Sequence, residues 1–238
     1  IKNSFGKYLK LTVEEDIIIT NNGHKVAKLV KYNESAKDSG TQVVKEEAAA
    51  YNVQRKATYE EFLRVSREGE EKGLRYEYID GEIYMLSSPR TTHQKIQTEL
   101  LVLFYNYFQD KECTPFTAPY DITLKRCKED INVVQPDLMV ICDLEENLDE
   151  RDYYMGVPSM VVEILSQSSR SKDAVKKLDL YMSTGVREYW LVNPFSMEIT
   201  VYCFTDKELS ESKTFRKGED ASSFIFENLN VDLEREFT

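Results

Sequence analysis

The sequence predicts a mixed α/β fold: a mixed sheet flanked by helices, preceded by a smaller module of one helix and a β-hairpin. Three observations predict it. A strand, helix, strand succession over 160–193 requires at least one crossover connection, and hence a mixed sheet. Two pairs of β-rich runs meet at Asn22-Gly23 and Asp80-Gly81, strong short-range signals for hairpins. Finally, charge is split unevenly. Residues 1–50 hold 8 Lys against 7 Asp/Glu, while the remainder carries 23 basic against 35 acidic residues.

In chain order, residues 3–12 (NSFGKYLKLT) read as a short helix, followed by a hairpin of DIIIT (16–20), NNG and KVAKLVKY (25–32). Residues 33–50 lose periodicity and read as a linker, with a loosely packed helix over 42–53 as the alternative. Thr58 and Glu61 have the spacing of a capping box at a helix start. RYEYIDGEIYMLS (75–87) alternates on both sides of Asp80-Gly81. Residues 91–108 form a long helix with Ile96, Leu100, Leu103 and Tyr107 on one face. Strands are expected at 120–124, 137–142, 160–165, 188–193 and 199–204, with a helix over 169–185 that stops at Gly185. Trp190 reads as core.

With 41% hydrophobic and 31% charged residues the chain can bury a substantial core, and no apolar run has the length of a membrane span. The four cysteines are scattered, with no CxxC pair or nearby histidine. That argues against a zinc site or a disulfide framework, and fits a reducing cytoplasm. The net charge of −11 is not that of a general nucleic-acid binder.

Within this frame two acids are out of place. VVQPDLMVI (133–141) and SMVVEILSQSS (159–169) are apolar runs fit for buried strands, yet they contain Asp137 and Glu163. A buried ionised carboxylate costs several kcal/mol or more unless something pairs with it. Strand alternation puts Asp137 on a face with Met139 and Ile141, and Glu163 on a face with Val161 and Leu165. If the strands are neighbours the acids meet, and a divalent cation is the usual remedy for their repulsion. Mg²⁺ takes carboxylates, backbone carbonyls and waters, and Ile164, next to Glu163, joins the candidate ligand set. On the following helix, Ala174, Lys177, Leu178 and Tyr181 make the inward stripe, and Lys176 and Asp179 the solvated side. An inward Lys177 could hold an attacking water or offset charge on a phosphorane. The plain alternative is a partly solvated acid and a lysine that snorkels to the surface.

At these residues the chain resembles the Uma family of restriction-endonuclease-like proteins, in the PD-(D/E)xK nuclease superfamily. The landmarks are YEYIDGE (76–82), His93, QPDLMV (135–140), VVEILSQSS (161–169), KKLDLYMSTGV (176–186) and REYWLVNP (187–194). The resemblance implies a restriction-endonuclease-like core over 58–238, with Asp137 and Glu163 as ligands of Mg²⁺ or Mn²⁺ and nucleic acid, DNA first, as substrate. The superfamily's commonest motif has lysine two residues after the second acid, where this chain has Leu165. In Uma-like sequences the lysine comes from the next helix, which fits Lys177. Glu82 and His93 match landmarks and join the catalytic candidates, the plain readings being a hairpin charge and a cap. Glu99 lies further along the same helix and is a weaker candidate.

Residues 3–32 are similar to the Phd/YefM antitoxin family, in a helix, a DIIIT strand, an NG turn and a VAxL run. That resemblance implies a homodimerising module over 1–32, a linker over 33–57, operator DNA contacts through Lys2, Lys7 and Lys10, and a toxin or antitoxin partner. Two functional classes therefore stand: a cytoplasmic Mg²⁺-dependent endonuclease, or a regulatory DNA-binding protein on a degenerate nuclease fold. A toxin and antitoxin fused in cis is the third form.

Overall fold

The computed structural model describes the backbone of residues 17–21, 24–29, 55–166 and 172–236. Contacts divide the chain into two units, 1–53 and 54–238. Of the first, the described part is an antiparallel hairpin, β1 (Ile17–Asn21) with β2 (His24–Leu29). The expected 3–12 helix, the 33–50 linker and Lys2, Lys7 and Lys10 lie outside the described residues.

The second unit opens with α1 (Tyr59–Glu70), started by the expected capping box: Thr58 Oγ1 accepts from Glu61 N, and Glu61 Oε2 accepts from Thr58 N at 2.8 Å. Such a cap contributes about 1 kcal/mol. Phe62 stacks on Tyr78 with ring centroids 5.2 Å apart, pinning α1 to β3 (Arg75–Ile79). β3 and β4 (Glu82–Leu86) pair antiparallel around Asp80 and Gly81, whose φ angles are 53° and 77°. Two consecutive left-handed residues make the tight turn that Asp-Gly favours. A β-carbon at Gly81 would also meet the Lys56 side chain at 2.8 Å.

Helix α2 spans Thr91–Phe108, as its periodicity predicts. Four short strands follow: β5 (Thr114–Thr117), β6 (Ile122–Lys125), β7 (Ile131–Val134) and β8 (Leu138–Ile141). Next come β9 (Met160–Ile164), α3 (Lys172–Thr184) and β10 (Glu188–Asn193), with Gly185 at φ 105° ending the helix. The chain closes with β11 (Glu198–Thr205), β12 (Glu208–Arg216), the pair β13 (Asp220–Ser222) and β14 (Asn230–Asp232), and α4 (Leu233–Glu236).

The main sheet has six strands in the order β12-β11-β10-β9-β8-β5, and a second has four in the order β4-β3-β7-β6. In the main sheet β9 and β10 are parallel, joined through α3, and the other pairs are antiparallel. This is the mixed sheet that the crossover predicts. One face packs on α2 and the C-terminal segment, burying Leu100, Phe104, Val140, Val162 and Trp190. On the other face, Met139, Val161 and Tyr189 pack with Leu180 and Tyr181 of α3 and with Ile79, Ile122 and Leu124 of the smaller sheet. Core positions of this kind cost about 2–5 kcal/mol when truncated to Ala.

One expectation is overturned. Cys113 and Cys142 are joined in a disulfide, while Cys127 and Cys203 are free. Thr114 pairs with Ile141, so the next positions outward, Cys113 and Cys142, are cross-strand neighbours although 29 residues separate them. Sequence spacing carries no trace of that proximity. Among the described residues no helix is long and apolar enough to cross a membrane.

Candidate active site

Between the two sheets lies a cavity of about 1090 Å³, lined by residues from β3, β4, α2, β9, α3 and β10. Asp137 and Glu163 both line it. Leu138 pairs with Val162 in the antiparallel β8–β9 ladder, so one step further Asp137 faces Glu163. The strand alternation read from sequence does bring the two acids to one place.

Each carboxylate is held on one side. Asp137 Oδ2 accepts from the main-chain N–H of Ile164 at 2.7 Å and bonds His93 Nε2 at 3.1 Å. Gln97 Nε2 donates to the Asp137 carbonyl at 2.6 Å, so α2 fixes this residue at both ends. Glu163 Oε1 accepts from Lys177 Nζ at 2.8 Å and from the Tyr181 hydroxyl at 2.6 Å. Asp137 Oδ1 and Glu163 Oε2 accept no hydrogen bond among the described residues.

Lys177 points inward, as the helical stripe predicts, and its ammonium also reaches Glu77 Oε1 at 2.8 Å. Glu77 was not legible as a site residue. It alternates with Tyr76 and Tyr78 in a hairpin strand, where a charge normally faces water. Here it is 4% exposed, and it also accepts from the Gln135 N–H at 2.9 Å. Tyr181 belonged to the predicted inward stripe, but nothing in the sequence marked its hydroxyl as a Glu163 donor.

The electrostatics follow from burial. Burial pushes the Glu163 carboxyl up to about 7, against the pull of Lys177; the Asp137 and Glu77 charges push it the same way. For Lys177 burial acts to release the proton, but the Glu163 and Glu77 carboxylates outweigh it and hold the ammonium charged. His93 shows the same balance: burial lowers its pKa, while the Asp137 hydrogen bond and charge, with smaller help from Glu163 and the Ile164 main chain, leave it raised.

The other candidates sit elsewhere. Glu82 is half exposed at the hairpin, bonded to Lys176 at 2.9 Å and to the Tyr84 hydroxyl at 2.6 Å. Glu82 does not line the cavity, whereas Lys176 does, its ammonium donating to the Tyr84 hydroxyl on the same wall at 2.6 Å rather than standing in open solvent. Glu99 approaches Lys95 at 3.9 Å and does not line the cavity.

The donor set bears on which cation could sit here. Among the described residues no three His, Cys, Asp or Glu side chains converge on one point, which does not fit a soft transition metal. Two carboxylates with an uncommitted oxygen each, beside the main chain of Ile164, suit a hard cation that keeps several waters.

Residues 59–234 match the sequence profile of the family described as "Uma2: Putative restriction endonuclease". The uncharacterized protein slr1290 of Synechocystis sp. is 30% identical over 148 residues, 62% of this chain and 74% of that protein. A second uncharacterized Synechocystis protein, sll1609, is 25% identical over 146 residues, 61% of this chain and 79% of its own. A crystal structure described as "a putative nuclease belonging to DUF820", from Anabaena variabilis, superposes with a TM-score of 0.60 at 22% identity. That match covers 76% of this chain and 97% of the other. At that identity the likeness is one of fold.

Proposed function

We propose, from the premise that this chain belongs to the Uma2 family, that it hydrolyses phosphodiester bonds of nucleic acid, with DNA as the first substrate class and Mg²⁺ or Mn²⁺ as cofactor. The observation that carries the reading is the convergence of Asp137, Glu163 and Lys177 on one cavity. Asp137 and Glu163, with Ile164, would hold the cation. When bound, it would polarise a phosphoryl oxygen and lower the pKa of a ligated water. Lys177, kept charged and fixed between two carboxylates, has three N–H groups and two named acceptors. Its third is suited to orient a water or to meet the charge that develops on phosphorus. His93 holds the Asp137 carboxylate in place through Oδ2.

A regulatory protein on the same fold is the second reading, and the net charge of −11 favours it. Binding to DNA is driven largely by cations that displace counterions. Beside the two paired lysines, the strongly basic side chains lining the cavity are Arg75 and Arg90. The antitoxin-like segment over 1–32 belongs to the same proposal, as a dimerising module with operator contacts and a toxin or antitoxin as partner.

The test is calorimetric titration of Mg²⁺ and Mn²⁺ into wild type, Asp137→Asn and Glu163→Gln, followed by a metal-dependent cleavage screen over single- and double-stranded DNA and RNA. Loss of the binding heat in both variants, with cleavage by wild type alone, is the expected result. Unchanged affinity in Asp137→Asn would sink the shared site. Metal binding without cleavage of any substrate would select the regulatory reading.

A further inference from the structure

Tyr189 of β10 is fully buried and stands on the cavity wall, yet its hydroxyl has no hydrogen-bond partner among the described residues. A buried hydroxyl left unpaired is expensive, so native structures satisfy nearly all of them. Its neighbours show what the site around it is built for. In the parallel ladder Tyr189 pairs with Val161 and Leu191 with Glu163, so the Tyr189 ring rises from the same sheet face as the Glu163 carboxylate. The Tyr181 ring packs against it at 5.2 Å, and the Tyr181 hydroxyl is already committed to Glu163 Oε1. On the other side the Tyr202 ring stacks at 5.8 Å, so the phenol cannot swing away.

Three polar groups that line this one cavity therefore have capacity left among the described residues. Among the described residues Glu163 Oε2 accepts nothing, and it has a second lone pair beside the one a cation would take; the Lys177 ammonium has a third N–H, and the Tyr189 O–H is unpaired. An acceptor, a donor and a hydroxyl that can be either are what one buried water requires, since such waters make about three hydrogen bonds. We propose that Tyr189 is a positioning residue whose hydroxyl anchors a buried water shared with Glu163 and Lys177. Burial first, and then the Glu163 charge, hold the phenol protonated, so it stays a donor at neutral pH. The water seat stands on this geometry alone. Its catalytic consequence, that the seated water is kept in line for attack on phosphorus, rests on the nuclease reading above.

Tyr189→Phe removes only the oxygen and preserves the ring packing, so the sign of its effect on stability decides the matter. A hydroxyl with no partner is a liability, and its removal raises Tm. A hydroxyl that anchors a shared water is an asset, and its removal lowers Tm by about 2–4 °C in a domain of this size. The experiment is thermal unfolding of full-length wild type and Tyr189→Phe, with Mn²⁺ titration by calorimetry and cleavage kinetics on the same preparations. The expected result is a lowered Tm, a Mn²⁺ Kd within about threefold of wild type, and a kcat down about tenfold with KM unchanged, on the scale of general positioning effects. A Tm that stays or rises overturns the seat. Should wild type cleave nothing, the nuclease reading fails, while the Tm comparison still decides the seat.

Discussion

Lys177 is the residue on which most of the local electrostatics turns. Its ammonium stands 2.8 Å from both Glu77 Oε1 and Glu163 Oε1, and none of the three side chains is more than 13% exposed. Lys177→Met keeps the apolar stem and removes only the charge. The structure makes that substitution costly, since it strands two carboxylates without their cation. Removing one partner of a buried pair typically costs about 3–5 kcal/mol. Urea unfolding at pH 8 should show a loss of that size in Lys177→Met, with part of it recovered in Glu77→Gln/Lys177→Met. Lys176→Met removes an ion pair between partly exposed groups, Lys176 at 31% and Glu82 at 54%, and a hydrogen bond to the Tyr84 hydroxyl, and should cost only about 1 kcal/mol. Equal losses in the two single variants would show that Lys177 does not hold the buried acids.

Two elements owe their placement to single polar hubs. Arg126, just after β6, donates to Asp80 in the β3–β4 turn at 2.6 Å, to Asp130 at 2.9 Å and to Asp179 and Ser183 on α3 at 3.0 and 2.7 Å. It clamps α3 over the smaller sheet and so sets where Lys177 points. Glu188 at the head of β10 does the same for the C-terminal segment. Its carboxylate accepts from the Trp190 indole at 2.7 Å and from the main-chain N–H groups of Phe224 and Ile225 at 2.6 and 3.2 Å. Burial, only partly offset by these donors, raises its pKa above the ordinary 4.5. The folded protein thus binds this proton more tightly than the unfolded chain does. The stability this adds is complete below about pH 4.5 and is lost as pH rises through the raised value. Glu188→Gln should remove that slope from stability measured between pH 4 and 8, whereas Glu188→Ala should cost about 3 kcal/mol at pH 7 by leaving three donors unpaired. A pH profile identical in wild type and Glu188→Gln would refute the assignment.

At the scale of the molecule, the legible parts were those in which local chemistry and tertiary packing agree. The capping box at Thr58, the Asp80-Gly81 turn, the 91–108 helix and the crossover over 160–193 each carry their signal within one continuous stretch of chain. β12 escaped because it is an edge strand whose sequence, ELSESKTFR, is exposed over most of its length and shows no apolar alternation. β5 contains Pro115, which reads against a strand, and β7 was hidden because the apolar run over 133–141 reads as one strand but divides at Gln135-Pro136 between β7 and β8, in different sheets. In the site, Asp137, Glu163 and Lys177 were readable because a charge inside an apolar pattern is conspicuous. Glu77 was not, because its strand alternates as a solvent-facing one would. It is the second sheet, meeting α3 over the cavity, that buries it. The disulfide was hidden for a similar reason, since a strand pairing alone makes neighbours of Cys113 and Cys142.

That same Glu77–Lys177 contact spans 100 residues and ties the four-stranded sheet to the helix over the six-stranded one. Its consequence belongs to time rather than to energy alone. Contacts so distant along the chain close after the local hairpins and helices have formed, because loop entropy must first be overcome. Interactions absent from the folding transition state act on escape from the native state and leave the approach to it nearly unchanged. Stopped-flow chevrons for Lys177→Met should therefore show a folding limb close to wild type. The unfolding limb should be faster by about a hundredfold for a loss of about 3 kcal/mol. A slowed folding limb would place the contact in the nucleus instead. With only the unfolding limb changed, the charge cluster at the cavity is also the latch that sets how long the folded protein lasts.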